Sequence, residues 1–166
     1  MPKIGKKNIL IPKDSSIKID GGDLTITGPK GTKKLSINDK IFSSKLTESE
    51  FQLLPLEKNI DKKTSIMWGT YRSLINNAIT GVSIGHEKTL ELSGVGFRAN
   101  LKGETLNLQI GFSHDVNFKI PKEIKIAVEK QTVIKISGVD KELVSKIAAD
   151  IKSLKQATVS TIKKVP

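Results

Sequence analysis

One long stretch in the middle of the chain has the hydrophobic period of a helix. From Thr64 onward, apolar side chains return every three or four residues, at Met67, Tyr71, Leu74, Ile75, Ala78 and Val82. Asp61 or Thr64 suits the N-cap, and Gly81 suits a left-handed C-terminal cap. We therefore predict a helix that ends near Gly81, followed by a short linker that reaches Gly85.

The first half otherwise alternates as strands do. Isoleucine and leucine alternate with polar residues on both sides of the turn at 20–23, which predicts a hairpin. A second turn is predicted at 28–31, followed by a strand through Leu35 and Ile37. Residues 38–63 are weakly patterned, and only one strand, near 51–54, is predicted there.

The second half has a clearer pattern. Strands are predicted at 89–93, 95–101, 106–110 and 116–120, and a hairpin is predicted around Lys130 and Gln131. Asp140 is the expected cap of a second helix, whose apolar stripe comprises Leu143, Val144, Ile147, Ala148, Ile151 and Leu154.

A faint repeat links the two halves. The stretch from Ile11 to Gly28 resembles the stretch from Ile120 to Gly138: each has Ile-Pro-Lys, a hairpin, and a closing glycine. Short strands also resemble each other by chance, so the repeat alone leaves duplication and coincidence open. The fold class that we predict is α+β, with two similar small domains, 1–82 and 83–166, each an antiparallel sheet with one long helix packed on it.

The charge narrows the class of partner. The chain has 28 basic and 17 acidic residues, a formal net charge of +11, and such self-repulsion favours a polyanionic partner: RNA, DNA or an anionic membrane. No apolar run is long enough to span a bilayer, and no N-terminal segment has the pattern of a signal peptide. The absence of cysteine excludes a disulfide framework and a thiolate metal site.

Motifs for catalysis are weak. Residues 94–99, Gly-Val-Gly-Phe-Arg-Ala, formally fit a dinucleotide fingerprint, but that motif must open a helix and these residues lead into a predicted strand. Ser113, His114 and Asp115 are the residue types of a hydrolase triad, yet consecutive side chains diverge. We predict no catalytic residue, no cofactor and no metal site.

Lysine clusters favour nucleic acid. They lie at 3–7, at 30–34 and along the last helix and tail, and together they suit sequence-independent contact with phosphates. Aromatic residues make up only 4% of the chain, which argues against a stacking platform for single strands. Structured RNA recognised by its shape is the better match.

A longer ordered string carries a family resemblance. The segments 69–77, 81–82 and 85–92 are followed by Gly-Val-Gly-Phe-Arg-Ala at 94–99 and Gly-Phe-Ser-His at 111–114. With Gly-Pro-Lys-Gly at 28–31 they resemble the bacterial-type L-six family of large ribosomal subunit proteins over about residues 3–155. Met-Trp-Gly-Thr at 67–70 is most similar to alphaproteobacterial and mitochondrial members.

The resemblance implies a structural constituent of the large ribosomal subunit, built from two similar domains. It implies binding to large-subunit rRNA, chiefly through the second domain, near the sarcin–ricin loop and the site of translation GTPases. It also implies neighbouring ribosomal proteins, no membrane and no homo-oligomer. Together with the basic clusters and the scarcity of arginine, it gives these RNA-binding candidates: Lys3, Lys6, Lys7, Arg72, Lys88, Arg98, Ser113, His114, Lys152 and Lys155.

The chain departs from the family pattern at its end. The usual tail of the Pro-Glu-Pro-Tyr-Lys-Gly-Lys-Gly type is replaced by a different sequence at 156–166, so this segment is not expected to be a principal rRNA anchor. The start at the family's own N-terminus, without a presequence, suggests an organelle-encoded or bacterial product. The localisation that we expect is the mitochondrial matrix, with the bacterial cytoplasm as the alternative. Other functional readings are an RNA-binding module outside the ribosome and, more distantly, an enzyme that uses a nucleotide cofactor.

Overall fold

The structure is a computed structural model that describes residues 7–154 and the backbone of residues 159–163. The described residues divide into two compact units, with the boundary between Ile84 and Gly85. Each unit combines one helix with small antiparallel sheets. The predicted class, two similar α+β domains, is therefore confirmed; within each domain the strands are divided between two sheets rather than gathered in one.

The first domain has six strands and one helix. They are β1 (Ile9–Leu10), β2 (Ser16–Asp20), β3 (Asp23–Gly28), β4 (Gly31–Ser36), β5 (Phe42–Leu46), β6 (Glu50–Pro55) and α1 (Lys62–Ser83). Strands β2, β3 and β4 form one sheet in that order, and β1, β6 and β5 form the other. The helix packs against β3, β4 and β6, so both sheets contribute to one core.

The sequence predicts the N-terminal end of α1 correctly but not its C-terminal end. Asp61 is the N-cap, and its carboxylate accepts a 2.6 Å hydrogen bond from the Lys62 amide. The predicted end near Gly81 is wrong, because Gly81 is buried inside the helix, which continues to Ser83. The left-handed residue that closes the turn is Gly85, with φ of +88°.

The core of the first domain is apolar and includes one buried indole. Phe51, Ile26 and Ile75 are fully buried, and Trp68 is nearly so. The Trp68 indole N–H donates a 2.7 Å hydrogen bond to the Leu53 carbonyl, which satisfies its polar atom and fixes α1 against β6.

The second domain has seven strands and one helix. They are β7 (His86–Leu92), β8 (Arg98–Lys102), β9 (Thr105–Gln109), β10 (Val116–Lys119), β11 (Ile124–Glu129), β12 (Val133–Gly138), α2 (Lys141–Ser153) and β13 (Val159–Lys163). One sheet has the order β10-β9-β8, and the other has the order β11-β12-β7-β13. As predicted, Asp140 caps α2, accepting a 3.1 Å hydrogen bond from the Glu142 amide.

Residues from both sheets and from α2 form the core of the second domain. Helix α2 packs on β12 and β7. Its buried side chains Val144, Ile147 and Ile151 belong to the same cluster as Leu106 and Leu108 of β9. The inner face of the β10-β9-β8 sheet is therefore apolar, while its outer face carries polar side chains, of which Asn107 at the centre is buried.

Two glycines at equivalent places support the similarity of the domains. Gly28 ends β3, and a Cβ there would lie 2.5 Å from the Val82 carbonyl oxygen of α1. Gly138 ends β12, and a Cβ there would lie 2.8 Å from Ile124 Cδ1 and 3.1 Å from Val144 Cγ2 of α2. In both domains a strand ends so close to its surroundings that only glycine fits without displacement.

The strand predictions need correction in the first domain and before β8. Residues 38–63 contain two strands, β5 and β6, rather than one, and the short β1 was missed. The strand expected at 95–101 begins only at Arg98. The residues before it form an exposed loop in which Gly96 has φ of +76°.

Candidate nucleic-acid interface

Arg98 lies exposed at the start of β8, opposite Gln109 of β9. Within residues 7–154 its guanidinium makes no hydrogen bond or ion pair. An exposed arginine with free donors can make a planar, bidentate contact with a phosphate group.

The loop between β9 and β10 brings two more candidates to the same end of the sheet. Gln109 ends β9 opposite Arg98, and the loop follows at once, with Gly111 at φ of +80°. Ser113 and His114 are exposed in it. The His114 imidazole stacks on the Phe112 ring, with centroids 6.4 Å apart and planes 24° apart.

The same loop does not form a hydrolase triad. The Asp115 carboxylate accepts hydrogen bonds from the side-chain amides of Asn107 and Gln109, both at 3.4 Å, and His114 is stacked on Phe112. The consecutive residues at 113–115 therefore act separately, as their positions in the sequence indicate.

A basic turn that the sequence analysis did not nominate lies at this end as well. The Ala99 amide, next to Arg98, donates a 2.7 Å hydrogen bond to the Gln131 carbonyl. Lys130 and Gln131 form the turn between β11 and β12, with φ of 53° and 60°, and both are exposed. The sequence identified this hairpin, but its proximity to Arg98 depends on the pairing of distant strands. We name Arg98, Ser113, His114 and Lys130 the basic end of the second domain.

The remaining candidates are spread over other elements. Lys88 is half-buried on β7, and Lys152 is exposed in the last turn of α2. Lys7 and Arg72 belong to the first domain, where the Arg72 Nε donates a 3.0 Å hydrogen bond to the Lys7 carbonyl. Lys3, Lys6 and Lys155 lie outside the described residues.

One basic residue of the second domain is already engaged. The Lys135 ammonium lies 2.7 Å from the Glu129 carboxylate. This hydrogen bond, together with the negative charge of Glu129, raises the pKa of Lys135 above its ordinary value. A phosphate group would have to displace the carboxylate, so Lys135 is a weaker candidate than Arg98 or Lys130.

The glycine motif at 94–99 has a structural role. The residues after it form β8, whereas a dinucleotide fingerprint would have to open a helix. The Phe97 ring lies against Gly94, where a Cβ would come within 2.5 Å of the ring, so the glycines permit a close approach. Residues 7–154 contain no group of side chains suited to hold a metal ion, and no helix among the described residues is long and apolar enough to cross a bilayer.

Comparison with known proteins agrees with this division into two similar domains. The model of the family "Ribosomal protein L6" matches the chain twice, over residues 11–85 and 93–166. Each match covers one of the two compact units. A tandem match is expected if one domain type occurs twice in the chain.

Similar bacterial proteins match nearly the whole chain. The "Large ribosomal subunit protein uL6" of Phenylobacterium zucineum is 42% identical over 155 residues, which are 93% of this chain and 86% of that protein. The protein of the same name from Erythrobacter litoralis is 43% identical over 152 residues, 92% of this chain and 84% of that protein. The one from Caulobacter vibrioides is 41% identical over 155 residues, 93% and 86% of the two chains.

These matches extend over both domains. The chain belongs to the ribosomal protein L6 family.

Proposed function

We propose that this chain, as a protein of the large ribosomal subunit, binds large-subunit rRNA chiefly through its second domain, with the basic end as a principal contact. The supporting observation is the exposed Arg98 guanidinium, which has no partner within residues 7–154 and lies beside the Ser113–His114 loop and the Lys130 turn. In a chain of net charge +11, this arrangement suits the phosphate backbone of structured RNA.

Co-sedimentation with large subunits tests the assignment directly. A tagged full-length chain should remain with the large subunit through a high-salt wash and should leave only when the subunit is dismantled. If the chain is recovered only in the ribosome-free fraction bound to other RNA, it is an RNA-binding module outside the ribosome, and the proposal fails.

The nature of the contact is tested by salt. If the isolated chain neutralises about six phosphates on its rRNA, the logarithm of the affinity should fall with the logarithm of salt at a slope of about −5. A slope near zero would contradict binding through phosphates.

The position within the subunit is a finer part of the proposal. We propose that the chain lies near the sarcin–ricin loop, beside the site of translation GTPases and in contact with other ribosomal proteins, and the family resemblance supports this proposal. Hydroxyl radicals generated from a probe on the Ser113–His114 loop of the protein should cut the rRNA within and around the sarcin–ricin loop. Cleavage confined to distant rRNA domains would contradict this location.

We propose that the chain belongs to a mitochondrial ribosome, with a bacterial ribosome as the alternative. The proposal is supported by the similarity of 67–70 to alphaproteobacterial and mitochondrial members and by a composition rich in lysine, isoleucine and asparagine, as AT-rich coding sequences produce. The relatives compared above are bacterial. Immunodetection in purified mitochondria decides between the two, and recovery only from bacterial cells would contradict the mitochondrial assignment.

A further inference from the structure

The outer face of the β10-β9-β8 sheet presents polar side chains in ordered rows. Directly paired residues of antiparallel strands project on the same face, so the register defines the rows. One row is Arg98 and Gln109; the next is Asn100, Asn107 and Asn117; the third is Lys102, Thr105 and Lys119. We name these eight residues the amide face. By the spacing of strands and residues it measures about 10 Å by about 14 Å.

Hydrogen bonds among the side chains of Asn107, Asn117, Gln109 and the neighbouring Asp115 fix part of the amide face in place. The Asn107 Nδ2 donates a 2.9 Å bond to Asn117 Oδ1 and a longer one, 3.4 Å, to Asp115 Oδ2. Gln109 Nε2 donates to the same Asp115 oxygen. Asn107 is only 6% exposed, so the centre of the face is a side-chain amide held by its neighbours.

The hydrogen bonds of Asn107 explain the amide at the buried centre of the face, but folding alone gives little reason for the amides on either side of it. Asparagine is disfavoured in strands, and a solvated sheet face is ordinarily covered by threonine or by charged side chains. The corresponding sheet of the first domain, β2-β3-β4, shows the ordinary pattern. Its outer face has the row Lys18, Thr25 and Lys34, and none of the paired positions on that face carries an amide. The partly exposed Asn100 and the exposed Asn117, which flank the buried Asn107, therefore indicate a ligand.

The chemistry of the face identifies the class of ligand. Asn107 is buried and its donors are engaged, but the amides of Asn100 and Asn117 on either side of it carry donors and acceptors of the kind that match hydroxyl groups and the edges of bases. Arg98, Lys102 and Lys119 lie at three corners, where they can reach phosphates. The wide, shallow minor groove of an A-form RNA helix presents 2′-hydroxyls and base edges between two phosphate backbones.

We propose that the amide face binds the minor groove of an rRNA helix and reads its 2′-hydroxyl groups, with the basic end contacting the adjoining backbone. This inference rests on the proposed rRNA binding and adds to it a requirement for ribose hydroxyls. Phosphate contacts alone would leave binding insensitive to the 2′ position.

The variants that test this proposal change residues in two rows of the amide face. Asn100→Ala and Thr105→Val each remove hydrogen-bonding atoms from the face without changing charge or touching the Asn107 network. Thr25→Val is the matched control, because Thr25 lies between two lysines in the first domain as Thr105 does in the second. Urea unfolding of each full-length variant checks that the fold is kept.

The probe is full-length large-subunit rRNA transcribed with 2′-deoxynucleotides at random positions, partitioned into fractions bound to and free of the full chain. We expect deoxy substitution at a small set of helical positions to exclude RNA from the bound fraction. Asn100→Ala and Thr105→Val should each weaken binding about fivefold, the effect of one hydrogen bond, with an unchanged salt slope. Each should also abolish interference at some of those positions, and Thr25→Val should do neither.

The outcomes separate this inference from the proposed function. Binding with a slope of about −5 but without any deoxy interference, or an equal loss in Thr25→Val, overturns the minor-groove assignment alone. Wild-type affinity for rRNA in Asn100→Ala and Thr105→Val, with poorer incorporation into subunits, would assign the face to a protein partner instead. Failure of the wild-type chain to bind rRNA at all overturns both proposals.

Discussion

The Arg72 Nε donates a 3.0 Å hydrogen bond to the backbone carbonyl of Lys7, 65 residues earlier in the chain. A second bond, 2.6 Å from Asn8 Nδ2 to Glu50 Oε2, holds the same segment. Half-buried on α1, Arg72 is thus positioned to fix the start of β1, although the sequence suggested an RNA contact. The Arg72 Nε is therefore bonded within the protein.

We expect Arg72→Ala to lower the free energy of unfolding by about 1 kcal/mol, the typical value of one hydrogen bond. Its rRNA affinity should stay close to that of the unchanged chain. Urea unfolding and a filter-binding titration measure the two quantities. A stable variant with strongly weakened binding would restore Arg72 as an RNA contact.

Arg98 should behave in the opposite way. Arg98→Lys retains the charge but loses the planar pair of donors, so rRNA affinity should fall about five- to tenfold with little change in thermal stability. Arg98→Ala should in addition reduce the salt slope by about 0.9. Loss of stability with intact binding would mean that Arg98 has a structural partner.

The close approach at Gly28 can be tested against a glycine with free space. Gly28→Ala would place a Cβ 2.5 Å from the Val82 carbonyl oxygen, which the backbone cannot easily yield, so the first domain should lose about 2 kcal/mol of stability. Gly69→Ala lies on α1 with nothing within 4 Å of the new atom and should gain about 0.5–1 kcal/mol. Equal effects of the two variants in urea unfolding would show that the α1–β3 packing relaxes.

We predict that the two domains fold independently, and the boundary between Ile84 and Gly85 shows where to divide the chain to test this. The sequence suggested a cut at residue 82, but α1 continues to Ser83, so fragments 1–84 and 85–166 preserve both cores. Each should unfold cooperatively by circular dichroism, and 85–166 should retain most of the rRNA affinity. Equal affinity of the two fragments, or affinity confined to 1–84, would refute this division of labour.

The altered tail can be removed in two steps. Residues 159–163 form β13, which adds an edge strand to β7, while β7 keeps its pairing with β12 on the other side. Deleting 158–166 should therefore leave the fold intact, lower stability by about 2 kcal/mol through lost backbone hydrogen bonds, and largely preserve incorporation into the subunit. Deleting only 164–166 keeps the strand and should be nearly neutral. Failure of the longer deletion to enter subunits despite a folded core would assign the tail an rRNA role.

Local signals predicted much of the fold, and non-local pairing explains what they missed. The two helices, the Asp61 and Asp140 caps and the hairpin at Lys130 depend on residues close in sequence. Strand β1 is only two residues long and exists because Ile9 pairs with Phe51, a relationship that no local pattern encodes.

The candidate nucleic-acid interface could likewise be predicted only in part from local sequence patterns. Arg98 was identified because arginine is scarce in a lysine-rich chain, a property of composition. Asn100, Asn107 and Asn117 lie on three different strands, and they become one row only through the strand register. Lys130 was passed over for the same reason, since its nearness to Arg98 follows from the bond between Ala99 and Gln131.

The position of β7 in its sheet has a consequence for synthesis of the chain. In the first domain β2, β3 and β4 pair with their neighbours in sequence, so that sheet can form as soon as it leaves the ribosome. Strand β7 is made before β8 to β11, yet its partner β12 comes after them, and such pairing is slow because a long loop must close first. During synthesis of the second domain, β7 therefore has two unpaired edges until β12 is made. The exposed charges of Glu87 and Glu91 disfavour its pairing with strands of other chains in that interval.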